Sequence, residues 1–234
     1  MRQNDRPLDQ MRPLEFEVGV NKFAEGSCLV KFGDTHVLCT ATLEEGVPKW
    51  LAGKNEGWIT AEYCMLPRST HQRIRRDKAL TGGRTQEISR LIGRSLRAGF
   101  DLSKIPEKSF VVDCDVLQAD GGTRTAAITG GYVALRQAFN FLLKQGLLQQ
   151  DPTQTQIAAV SIGRLNGQCY VDLDYEEDSH CESDVNFVMN SKKEFIEIQG
   201  TAENNSFSQD DLIAMMGLAL KTGEHIFERQ TKYL

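Results

Sequence analysis

Phe16, Val18 and Val20 alternate with Glu15, Glu17 and Gly19, a pattern that predicts a strand with one buried face. Two apolar runs, CLVKF and HVLCTATL, flank Gly33-Asp34 and predict a hairpin with a tight turn. A second hairpin is predicted at AAVSIGRLNGQCYVDLDY, because Asn166-Gly167 suits a two-residue turn with positive φ, and a weaker third at DVNFVMNSKKEFIEIQG. The period lengthens over residues 85–98, where Ile88, Leu91, Ile92 and Leu96 share a helical face, and again over 125–144. A last helix is predicted from Ser208, an N-cap with Asp211 three residues on and Phe207 and Leu212 as a hydrophobic staple. Hairpins followed by helices occur in both halves, so the expected class is α+β with a duplicated unit, without residue-by-residue repetition or a linker rich in Pro and Ser.

The chain has 234 residues, 40% hydrophobic and 25% charged, enough for a sizeable core and far from disordered or low-complexity composition. Its longest apolar run, Leu212 to Leu220, is too short to span a bilayer, and MRQNDRPLDQ lacks the apolar stretch of a secretory signal. Six cysteines without a C-x-x-C pair favour reduced thiols in a cytoplasmic protein over disulfides or a zinc site.

A net charge of −5 argues against a polyanion partner until its distribution is considered. Residues 68–97 hold nine Lys/Arg against two acids, whereas residues 172–184 hold seven acids and no Lys or Arg. Cations for a phosphate backbone and carboxylates for a divalent metal are what phosphodiester chemistry requires.

Four segments carry that chemistry. In VVDCDVLQADGGTRTAAITGG a strand-like run is followed by Asp120-Gly121-Gly122-Thr123-Arg124, which opens an Ala-rich helix. Glycines there allow close backbone approach, the helix start favours an anion, and Thr123 and Arg124 add a hydroxyl and a bidentate cation; an ordinary Gly-Gly turn with a solvated Arg is the alternative. In GRTQEISRLIGRSLRA, Arg84 sits at a helix start, against the macrodipole, which an anion would relieve. For Arg90, Arg94 and Arg97 a solvated or interface-facing helix edge is the favoured reading. The arginine-rich run PRSTHQRIRRDK, with Arg68, Arg73, Arg75 and Arg76, reads either as a loop gripping phosphates or as a solvated surface. In DLDYEEDSHCESDVNFVM the alternation puts Asp172 and Asp174 on one strand face, and Asp184 at the start of a strand whose other face is buried. With Asp178 it could hold Mg²⁺, or a single acid could protonate a leaving oxygen; otherwise the segment is an acidic loop serving solubility.

Together with RPLDQMRPL, EGSCLVKFGDTHVLCTA, GWITAEYCMLPRST and EIQGTAE, these segments in this order resemble the ribonuclease PH family of phosphate-dependent 3′-to-5′ exoribonucleases, nearly end to end. The resemblance implies one domain over 1–234 made of two βαβα-like halves, each similar to ribosomal protein S5 domain 2. It also implies a hexameric ring built as a trimer of dimers, Mg²⁺, inorganic phosphate as co-substrate, and trimming of transfer RNA precursor 3′ ends, with a non-catalytic RNA-binding ring subunit as the main alternative and a hydrolytic nuclease as another. Carried over by position, Arg84, Gly122, Thr123 and Arg124 are the phosphate ligands. Asp178 and Asp184 are the metal and acid-catalysis pair, and Arg68, Arg73 and Arg76 contact RNA. The stretch between Arg76 and Arg84 and the sequence SHCESDVN depart from the family pattern.

Overall fold

The computed structural model describes residues 2, 5–76, 82–203 and 205–234; the divergent stretch between Arg76 and Arg84 lies largely outside them. The first half contributes β1 (Leu14–Val18), β2 (Gly26–Phe32), β3 (Thr35–Glu45), β4 (Trp58–Met65), α1 (Gly83–Arg97), β5 (Lys108–Gln118) and α2 (Thr123–Lys144). The second contributes β6 (Ile157–Leu165), β7 (Gln168–Val171), α3 (Tyr175–His180), β8 (Ser183–Asn190), β9 (Phe195–Ala202) and α4 (Gln209–Gln230). The architecture is α+β, with two sheets ordered β1-β2-β3-β5-β4 and β7-β6-β8-β9.

Both main hairpins form where the turn chemistry places them. Asn166 and Gly167 take φ of 49° and 74° and connect β6 to β7, and Gly33-Asp34 connects β2 to β3. The third hairpin joins β8 and β9 antiparallel. In the first sheet β4 runs parallel to β5 with α1 as the crossover, a pairing between strands far apart in sequence.

Helix α2 sits between the sheets. An amphipathic helix would bury one stripe, but here residues all round the cylinder are buried, from Thr125 through Phe139, because β2 and β3 cover one side and β6 the other. The approach to β2 is close enough that a Cβ on Gly130 would lie 2.4 Å from Val30 Cγ1, so only glycine fits. Ala159 of β6 donates its N–H to Thr129 Oγ1 at 3.0 Å, tying the same helix to the second sheet. One apolar cluster runs through both halves across this helix.

Helix α4 starts as its sequence prescribes: Ser208 and Asp211 form a reciprocal capping box, and Phe207 and Leu212 pack at the edge of the core. Arg97 departs from the expected open helix edge. Its guanidinium lies 4.1 Å from the Trp58 ring centroid and donates to the Ile59 carbonyl at 2.7 Å. Arg94 instead pairs with Glu197 of β9 at 2.7 Å, joining α1 to the second sheet.

Candidate active site

Two helices begin at one cavity of about 860 Å³ between the halves. Helix α2 is preceded by Gly121 and Gly122 with φ of 72° and 64°, a pair of left-handed residues that turns the chain out of β5. A Cβ on Gly121 would lie 2.4 Å from the Leu173 carbonyl oxygen, so this loop packs against the acidic segment of the second half. Gly122 is the N-cap and supplies no side-chain acceptor. Helix α1 starts the same way, with Gly82 as a cap without a side-chain bond and no acid in the first turn. Arg84 and Arg124 each occupy the second position of their helix, beside unsatisfied N–H groups.

With two guanidiniums beside two uncapped helix starts, this wall is suited to an anion. Arg84 makes no hydrogen bond or ion pair with a described residue. Arg124 donates to the Gln199 side-chain carbonyl at 2.7 Å, and Thr123 Oγ1 meets the Tyr63 hydroxyl at 2.8 Å. Burial pushes the Tyr63 phenol upward despite that bond and the nearby arginines, so it stays protonated.

The opposite wall carries the acids, and here the structure corrects the sequence reading. The alternation around Asp172 and Asp174 ends with β7 at Val171. Asp172 has φ of 53° and is fully buried, and Asp174 is the N-cap of α3, in a reciprocal capping box with Glu177. The two aspartates therefore share no strand face. Asp172 is compensated by Arg12, which also donates to the carbonyls of Asp120 and Gly121 and so grips the glycine loop. Arg2 binds Glu177 at 2.6 and 2.9 Å and holds α3 from behind. The next residue, Asp178, projects into the cavity, as does Asp184, which accepts from Asn186 Nδ2 at 3.3 Å. Burial raises the Asp178 carboxyl above its ordinary value against the pull of Arg84 and Arg124. Burial, then the charge of Asp178, pushes Asp184 up to about 6.

Thus Arg84, Gly122, Thr123, Arg124, Asp178 and Asp184 line one cavity. The three arginines expected to contact RNA lie outside its lining. Arg68 borders a neighbouring hollow of about 450 Å³ with His71 and Asp120, and Arg76 borders another on the outer side with Cys64 and Asp115. Arg73 is exposed. Their loop does reach the main cavity through Thr70 and Ile74, and His71 stands edge-on to Tyr175 at its mouth, with ring centroids 6.5 Å apart. Sequence reasoning missed Tyr63, Arg12 and Gln199 as supports. Nothing in the sequence pointed to Arg12 as the partner of Asp172, which the alternation placed opposite the apolar face of Val171 and Leu173.

Cations at helix starts on one side and raised carboxylates on the other define a class of enzyme that works on phosphodiesters. Residues 10–139 match the model of the 3′ exoribonuclease family, domain 1, and residues 155–222 match domain 2 of the same family. The chain belongs to this 3′ exoribonuclease family. It is 53% identical over 234 residues to ribonuclease PH of Bdellovibrio bacteriovorus, covering 100% of this chain and 96% of that one. It is 54% identical over 232 residues to ribonuclease PH of Caulobacter vibrioides, covering 98% of each. Among solved structures, rice Rrp46 shares the fold with a TM-score of 0.80 at 21% identity, covering 98% of both chains. The Archaeoglobus fulgidus exosome with RNA bound to the active site shares it at 0.82 and 20% identity, covering 96% of this chain and 90% of that one.

Proposed function

We infer that the chain is a phosphate-dependent 3′-to-5′ exoribonuclease, a nucleotidyltransferase that releases nucleoside diphosphates one at a time. The observation that carries this reading is the placement of Arg84 and Arg124 at two uncapped helix starts facing Asp178 and Asp184 across one cavity. Inorganic phosphate sits among Arg84, Gly122, Thr123 and Arg124, where N–H groups and guanidinium forks orient it. One of its oxygens attacks the phosphorus of the last phosphodiester, the bond from phosphorus to the 3′-oxygen breaks, and the 3′-oxygen takes up a proton. No general base is needed because the nucleophile is already anionic. Asp184, raised to about 6 by burial and by Asp178, is the group placed to supply or organise that proton.

Asp178 and Asp184 also fit Mg²⁺. They are hard oxygen donors, and among the described residues neither carboxylate forms a direct ion pair. When bound there, Mg²⁺ would supply neutralisation of charge developing on the departing oxygen.

RNA enters past the loop of Arg68, Arg73 and Arg76, which collects the backbone without reading bases. The substrates are single-stranded 3′ ends, transfer RNA precursors among them. The chain acts as one ribonuclease PH-like domain over 1–234, its halves sharing a core, and assembles as a hexameric ring, a trimer of dimers. Six cysteines, all free, suit a cytoplasmic setting, and no described helix is long and apolar enough to cross a membrane.

The test is product analysis of a 3′-extended RNA with the protein and Mg²⁺, with and without inorganic phosphate. Nucleoside diphosphates only in the presence of phosphate are expected. Monophosphates in both reactions would mean hydrolysis, and RNA binding without product would mean a non-catalytic ring subunit.

A further inference from the structure

We propose that Gln199 is a positioning residue for the phosphate site: an uncharged acceptor that aims Arg124 into the cavity without neutralising it, its amide oriented by Glu87. The inference rests on the reading of that cavity as the phosphate site.

Strand β9 meets helix α1 through two side chains on the same face, two residues apart. At the outer position Glu197 pairs with Arg94 at 2.7 Å, an ordinary ion pair whose arginine is half exposed. At the inner position the strand carries Gln199, and here the cation is Arg124, reached from α2. A glutamate at 199 would satisfy the guanidinium charge as Glu197 satisfies that of Arg94, and an incoming anion would have to compete with it. A side-chain amide offers one carbonyl oxygen, enough to fix the direction of the fork while leaving its positive charge for a ligand.

An amide can also turn over and present its NH₂ group to the arginine, which would repel it. Glu87 prevents this by accepting from Gln199 Nε2 at 2.6 Å, and so the carbonyl end faces Arg124 at 2.7 Å. Glu87 lies on the same helix as Arg84, one turn further on, so a single chain of bonds relates the two arginines of the site: α1 through Glu87, then Gln199, then Arg124. Opposite Gln199 in the ladder stands Asn186, the residue that touches Asp184. The same pair of strands thereby places one neutral amide against each charged wall.

The experiment measures the phosphate KM and kcat of wild type, Gln199→Glu, Gln199→Ala, Glu87→Gln and Glu197→Gln on a 3′-extended RNA. Phosphate affinity without RNA is read by calorimetry. Gln199→Glu is expected to raise the phosphate KM about tenfold or more, with kcat at saturating phosphate held within about twofold. Gln199→Ala and Glu87→Gln give smaller rises, about threefold, since orientation is lost but charge is not added. Glu197→Gln lowers the melting temperature and leaves the phosphate KM unchanged. A wild-type phosphate KM and affinity in Gln199→Glu would overturn the inference while leaving the phosphate site in place. A wild-type enzyme that turns over RNA without phosphate would overturn both.

Discussion

Arg12 and Asp172 are 160 residues apart in the chain and are joined by three hydrogen bonds, from the Arg12 backbone N–H at 2.8 Å, Nε at 2.9 Å and Nη2 at 2.7 Å. Both are buried, and the same guanidinium holds the carbonyls of Asp120 and Gly121. The bond therefore fastens the phosphate loop of the first half to the acidic segment of the second.

Removing either partner strands a buried charge. Arg12→Ala is expected to destabilise the fold by about 3–5 kcal/mol in chemical denaturation, more than a surface ion pair would. Burial alone would raise the Asp172 carboxyl, but Arg12 outweighs it and holds the group below its ordinary value. The stability it contributes is thus complete above the unfolded carboxylate range and is lost as pH falls through the folded value. The stability gap between wild type and Asp172→Asn should therefore shrink as pH falls below the ordinary carboxylate range. A gap that stays constant would remove the ion pair as its source.

Asp184 has the opposite sign. Its folded value of about 6 lies above the ordinary 3.8, so the folded state binds the proton more tightly and loses stability as pH rises from the lower value through the higher. Without metal, Asp184→Asn should gain up to about 3 kcal/mol over wild type at about pH 8 and little at about pH 4. It should bind RNA normally and give no product. Normal turnover by this variant would remove the proton donor from the proposed mechanism.

Arg84→Ala and Arg124→Ala should each raise the phosphate KM about tenfold or more, because each removes a charge-assisted contact. Changing Arg73 and Arg76 together should leave that constant alone, weaken RNA binding and flatten its dependence on salt. Phosphate saturation and salt titration separate the two sets. An unchanged salt slope would make the arginine loop a solvated surface.

Gly121→Ala is a backbone test. The residue has φ of 72°, and a Cβ would lie 2.4 Å from the Leu173 carbonyl, an atom that cannot swing away. A loss of about 2–4 kcal/mol is expected, with weakened phosphate use in whatever folds. A stable variant with wild-type phosphate KM would show that the loop has room the structure denies.

Local chemistry made much of this legible in the sequence. Asn166-Gly167 dictated its hairpin, Ser208 and Asp211 their capping box, and Gly121-Gly122 a turn into a helix carrying Arg124. What was illegible depended on distant partners. Asp172 looked like one tooth of an alternating strand because nothing nearby announces Arg12. Arg97 looked like an open helix edge because Trp58 lies on a strand well before that helix in the chain, and the second cover of α2, β6, comes later in the chain. Gln199 had no signal of its own, since an amide acquires meaning only from the charges that the fold brings to it.

The cavity takes Arg84 and Arg124 from the first half and Asp178 and Asp184 from the second. Because Gln199 of β9 aims Arg124 and Asp172 anchors the arginine that grips the glycine loop, even the phosphate-holding wall is complete only when the second sheet is in place.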